Sequence, residues 1–299
     1  MPLSATGLGG GAASLFRASA AGGLYNFQDA TFTNNGKTGY QGPSLAEARS
    51  GMSGTSHNNF KNDTNFFTVS NGIQYWTVPI DGTYRITATG AGMWNHRQGG
   101  YGASMRGDFS LTEGEIIRIL VGQVGQSGGD AAGGSFVTKS PHNTNASILV
   151  VAGGGGGGHS NGFQSNSNAS TGTSGRQAST PGSTGYGGSG GQGGNSDNSG
   201  GGGGFFGNGG NGSGSSGGKA YVNGGYGGYE GSDNAGFGGG GTSGNSHGGG
   251  GGGYSGGGGS GGNPWHGGGG GSYNNGSNQS NSEGVISNNS ASVVIQLIG

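Results

Sequence analysis

The chain has 299 residues, of which 86 are glycine, with 27% hydrophobic residues, 8% charged residues and no cysteine. Against an average glycine content of about 7%, this composition excludes one conventional hydrophobic core, because there is too little apolar surface to offset ordering entropy everywhere. A formal charge of −1 supplies no field for nucleic acid or an anionic membrane, and the lack of thiols excludes disulfide and thiolate–metal scaffolds.

Residues 1–22 are small and glycine-rich, with Leu15, Phe16 and Arg17 as their bulky cluster. They read either as a frayed terminus or as an arm that anchors the chain to another protein. The segment lacks a basic region followed by an apolar run, so no secretory signal is expected, and no stretch has the length of a membrane span.

Residues 23–152 read as β-structure. The run IQYWTVP at 73–79 is β-branched and aromatic; Asp81-Gly82 marks a turn, and TYRITA follows at 83–88. There Tyr84, Ile86 and Ala88 share one face and Thr83, Arg85 and Thr87 the other, the alternation of a half-buried strand. Residues 109–111, 116–121, 135–138 and 147–152 supply further strands. This spacing predicts an antiparallel sandwich. A helix is expected for one turn at most, near Ser44–Arg49.

Residues 153–284 form a low-complexity zone with glycine runs at 153–158, 200–204, 238–241, 248–253, 256–259 and 267–271. The pattern then reverts to an apolar strand, ASVVIQLI, at 291–298, within a terminal unit at 285–299. Unpaired, it would be an aggregation hazard. It is expected to join the sheet that holds Trp76 and Leu120, which makes the glycine zone an insertion held at both ends. Such a zone is either a flexible coil or a bundle of threefold polyglycine II helices whose backbone groups bond laterally. The separation of the runs by short Asn, Ser and aromatic turns favours the bundle.

Once these segments are placed, a resemblance can be named. The stretches YWTVP at 75–79, GTYRI at 82–86, GAG at 90–92, Gly114-Glu115, ILVGQ at 119–123, GGSFV at 133–137 and ILVVAGG at 148–154 resemble the glycine-rich extracellular domain of the anaplastic lymphoma kinase and leukocyte tyrosine kinase receptors. The likeness runs from about residue 24 to 160 and implies a jelly roll like that of tumour necrosis factor, with a glycine-helix insertion. The chain carries no kinase, membrane span or cysteine, so receptor biology does not carry over. The glycine-rich start and the Asn/Ser-rich body are instead similar to virion proteins of tailed phages, including those of marine cyanobacteria. In kind, they are also similar to tail-fibre tip adhesins.

Catalytic signals are absent. The six histidines are scattered, no metal spacing or carboxylate pair occurs, and a Walker motif fails because Ala220 follows Gly218-Lys219. No enzyme activity and no cofactor are expected. The aromatic residues between the runs point to recognition, since rings beside Asn, Ser and His suit sugars or surface proteins. The candidate binding residues are Phe205, Phe206, Tyr226, Tyr229, Tyr254, Trp265, His266 and Tyr273, with a second patch of Trp94, His96, Arg97 and Tyr101. The competing reading is that these rings cap and shield the glycine body. The sequence thus leads to a virion tail fibre or adhesin that binds a host glycan or outer-surface protein. Residues 1–22 would join other virion proteins, and the assembly would be a homotrimer by analogy with fibres. The alternative is a capsid decoration or filament subunit without receptor binding.

Overall fold

The computed structural model describes residues 23–93, 99–159, 164–179, 185–263 and 265–299. The N-terminal arm at 1–22 and the patch residues Trp94, His96 and Arg97 lie outside these described residues. In chain order the framework contains β1 (Asp29–Thr33), α1 (Leu45–Gly51), β2 (Phe67–Ser70), β3 (Ile73–Thr77), β4 (Gly82–Thr89), β5 (Gly102–Leu111), β6 (Ile116–Leu120), β7 (Ser135–Thr138) and β8 (Ile148–Ala152). A short hairpin, β9 (Tyr229–Glu230) and β10 (Asp233–Asn234), follows within the glycine zone. The chain ends with β11 (Tyr273–Asn274), β12 (Ser277–Ile286) and β13 (Ser292–Leu297).

Two antiparallel sheets form an all-β sandwich. One has the order β1-β13-β4-β5-β12 and the other β11-β8-β7-β6-β3-β2. The alternation in β4 holds: Tyr84, Ile86 and Ala88 are fully buried, and with Phe32, Trp76, Ile117, Ile119, Val293 and Ile295 they fill the space between the sheets.

The C-terminal strand pairs in the centre of a sheet, with Ile295 opposite both Ala30 of β1 and Ile86 of β4. The expectation for its location needs one correction. Trp76 and Leu120 belong to the other, six-stranded sheet, so β13 faces that sheet across the core rather than joining it. The physical reason is the partner's pattern. The exposed side of β4 is polar and its inner side apolar, matching the alternation of Val293 and Ile295, and the pairing also satisfies the free edge of β1. The α-helix α1 is longer than one turn. It is started by Ser44, whose hydroxyl accepts from the Glu47 N–H while the Glu47 carboxylate accepts from the Ser44 N–H at 2.7 Å.

The glycine runs bond through their backbones with a repeat of three. In run 248–253, Gly248 and Gly251 donate to Trp265 and Gly268; Gly249 and Gly252 donate to Gly129 and Ala132; Gly250 and Gly253 donate to Gly200 and Gly203. Each donor pair steps by three residues, and so does each acceptor pair. Run 200–204 does the same in the opposite direction, with Gly200 and Gly203 donating to Thr242 and Gly239. A segment whose successive N–H groups point to three different neighbours bonds on all sides, and only glycine leaves room for that. A Cβ on Gly250 would stand 2.0 Å from the Gly257 oxygen, and one on Gly256 would stand 1.8 Å from the Gly202 oxygen. This body also recruits parts of the framework: Ala91, after β4, donates to Gly133, and Gly155 donates to Ala91.

Candidate functional site

Two groups stand out among the rings of the glycine zone. The first packs on the outer face of the six-stranded sheet. Phe205, Tyr221, Phe237 and Tyr254 are buried there against Ile73, Leu120, Phe136, Ile148 and Val151, forming a second apolar core. Tyr221 stacks on Phe136 and on Phe205, each at 5.0 Å between centroids. Burying each such ring stabilises by roughly 1.5–3 kcal/mol, which fastens a body nearly devoid of other apolar side chains.

Three residues of the expected binding set are therefore interior: Phe205 and His266 have no exposed surface, and Tyr254 has 5%. Burial also lowers the imidazole pKa of His266, and the charge of His159 adds to that. Phe206, half-buried, packs edge-on to Phe205 at 4.8 Å. Tyr273 lies on Tyr254 at 4.8 Å, within β11. Trp265 approaches His247 edge-on at 6.2 Å, and Tyr101 donates its backbone N–H to the Asn168 side chain. The structure therefore does not bring the expected residues into one site.

The second population, Tyr226 and Tyr229, opens to the surface beside a ring that sequence reasoning did not include, Tyr40. Together with Gln41, Ser216 and Lys219 they line an open groove of about 410 Å³. Tyr229 is 53% exposed, and its ring lies 4.8 Å from that of Tyr40. Each wall is positioned by backbone bonds. The segment carrying Tyr40 is held by Gly39 N–H donating to the Val124 carbonyl (2.9 Å), by Phe237 N–H donating to Gly39 (2.8 Å) and by Gly227 N–H donating to Tyr40 (3.1 Å). Lys37 pairs with Glu47 at 3.0 Å just upstream. The Ser44 N–H and this lysine hold the Glu47 carboxyl at about 2, well below its usual range. Tyr226 rests edge-on against the buried Phe237 at 6.1 Å, and its carbonyl accepts from the Lys219 N–H at 2.8 Å. Tyr229 projects from β9, whose partner β10 is tied to Asp130 through the Asn234 N–H at 3.0 Å.

Asp130 is the chief polar pin behind the groove. Its fully buried carboxylate accepts from the N–H groups of Ser127, Asn234 and Ser243 and from the Ser243 hydroxyl. Burial nonetheless raises its pKa. The arrangement gives an aromatic platform with hydroxyl, amide and ammonium groups at its edge, on rigid backbone. Tyr40 was missed because its neighbours in sequence, Gly39, Gln41 and Gly42, carry no pattern. Only the fold brings residue 40 to residue 229.

Among known proteins, the chain is similar to the leukocyte tyrosine kinase receptor of Mus musculus, at 44% identity over 59 residues. That match covers 18% of this chain and 7% of the receptor. No family model matches the chain. Among the described residues, no helix is long and apolar enough to cross a membrane.

Proposed function

We propose that this chain is a non-catalytic virion adhesin of the tail-fibre type, which recognises a saccharide on the host surface through the Tyr40–Tyr226–Tyr229 groove. The observation that carries the reading is the pairing of exposed Tyr229 with half-buried Tyr40, held on a scaffold whose walls are fixed by backbone hydrogen bonds. A tyrosine ring offers a flat apolar face to the C–H bonds of a sugar and keeps a hydroxyl for its edge. Because the walls are preorganised, little ordering entropy is lost on binding. Runs such as 200–204 and 248–253 are, in this reading, polyglycine II helices that provide this stiffness, whereas run 238–241 opens on two left-handed residues, Gly238 and Gly239. The three-residue donor repeat supports that assignment, and so does the absence of left-handed φ values in runs 200–204 and 248–253. The framework would present the groove, and residues 1–22 would join the particle.

The test uses labelled full-length protein on a panel of bacterial cells, including marine cyanobacteria, before and after periodate oxidation of surface glycans. Binding that is lost on oxidation, and reduced at least about tenfold by Tyr229→Ala with an unchanged melting temperature, is the expected result. Binding unaffected by Tyr229→Ala would move recognition away from this groove, and binding absent from every cell type would leave the structural-subunit reading in its place.

A further inference from the structure

Lys219 gives the groove a charge preference. It is exposed, lines the groove beside Tyr226, and is the charged residue of that lining. The ion pairs among the described residues join Lys37 to Glu47, Arg85 to Asp108 and Arg176 to Glu283, so the Lys219 ammonium has no carboxylate partner. Two acids lie nearby in the β9–β10 hairpin, Glu230 and its cross-strand neighbour Asp233. The Glu230 carboxylate is outside the lining and accepts from the Ser216 hydroxyl at 2.9 Å, which holds it at the rim. Asp233 is likewise outside the lining.

We infer that the groove selects an acidic saccharide, with a sugar ring lying on the Tyr40–Tyr229 platform and its carboxylate bonded to Lys219. This deepens the adhesin reading and rests on it. A flexible, strongly hydrated ammonium at a groove edge suits a carboxylate presented at variable height. The charge-assisted bond forms beside apolar rings that displace part of the solvent. A neutral sugar would stack on the same rings and leave the lysine solvated.

The experiment is an array of matched oligosaccharides: uronic-acid and sialic-acid glycans beside their neutral galactose and glucose counterparts. It is probed with the full chain, with Lys219→Gln and with Tyr229→Ala, each checked for an unchanged thermal melt. Acidic glycans should bind at least about tenfold more tightly than their neutral matches, as one bond to a charged group implies. That margin should shrink from 50 to 300 mM salt, about the concentrations at which exposed charges become screened. Lys219→Gln should remove the margin while keeping neutral binding, and Tyr229→Ala should weaken both classes. Equal binding of acidic and neutral glycans, unchanged by Lys219→Gln, would overturn the charge assignment and leave the saccharide groove standing. No binding to any glycan would overturn both.

Discussion

Thr138 stands where the sheet meets the glycine body. Its hydroxyl lies 3.1 Å from Nδ1 of His142 and 2.7 Å from the hydroxyl of Tyr221, so one short chain of polar atoms links a framework loop to a ring of the insertion. His142 is only 8% exposed, and burial, with the charge of Arg118 second, lowers its pKa from 6.5 to about 4. The neutral imidazole is therefore the form the fold prefers. A lowered folded-state value means that the stabilisation is complete above pH 6.5, declines as pH falls from 6.5 toward 4, and is gone below that. Urea unfolding followed by tyrosine and tryptophan fluorescence should accordingly show stability falling over that window by on the order of 1–3 kcal/mol. Asp130, with its raised pKa, works in the opposite sense, since protonation relieves a buried charge. The comparison that isolates the imidazole is therefore wild type against His142→Asn, which should be flatter between pH 6.5 and 4. Equal slopes would assign the acid sensitivity elsewhere. Nothing in the sequence around Ser140, Pro141 and His142 distinguishes this histidine from His57 or His247, which sit in turns and bond the carbonyls of Gly54 and Gly244. Its role exists only because Tyr221, eighty-three positions after Thr138, is folded onto the same sheet.

Among the elements, legibility followed side-chain chemistry. Strands such as β3, β4, β6 and β8 announced themselves through β-branched and aromatic residues in alternating or continuous apolar runs. By contrast β12, with the sequence SNQSNSEGVI, reads as part of the low-complexity zone, and β11 does too. The sheets thus resume at Tyr273, inside the span read as insertion. β12 is a largely exposed edge strand, held to β5 by backbone pairing and by Asn278, which donates to Asp108 at 3.0 Å. An edge needs no apolar face, so no hydrophobic period marks it. The glycine segments were legible as a class, and which run bonds to which was not, because identical residues carry no register. Their packing makes a sharp prediction. Gly250→Ala would place a methyl group 2.0 Å from the Gly257 oxygen, whereas at exposed Gly172 the nearest atom is the Ser170 hydroxyl at 3.3 Å. Gly250→Ala should cost roughly 1–3 kcal/mol through forced backbone displacement, and Gly172→Ala should stay within about 0.5 kcal/mol, as surface changes do. Chemical denaturation of both variants measures the difference. Similar values at the two positions would mean that the run yields freely and is not a bonded lattice.

Across the whole molecule, the glycine body is tied to the framework at both ends and across one sheet face. It leaves β8 at Ala152 and returns through β11, which pairs with β8 itself, so Tyr273 lies opposite Val151. The insertion thus begins and ends on neighbouring strands, and the entropy of closing so long a loop is offset once, by two strands the sandwich already needs. Between those points the second apolar core clamps the body to the sheet. This arrangement makes the body's order dependent on the sandwich and the sandwich dependent on its last strand. β13 bonds to β1 on one side and β4 on the other, and places Val293 and Ile295 in the core. Removing residues 291–299 would leave β1 without its strand partner, expose the edge of β4, and empty the space those side chains fill. The expected outcome is loss of the cooperative thermal transition and rapid protease cleavage throughout residues 185–260, far in sequence from the deletion. In the intact chain the same region should resist cleavage until the framework melts, because its backbone groups are bonded to one another and to Ala131 and Ala132. A truncated chain that kept a protected glycine region would show that the body folds autonomously, and the dependence would then be reversed, with the lattice templating the sandwich.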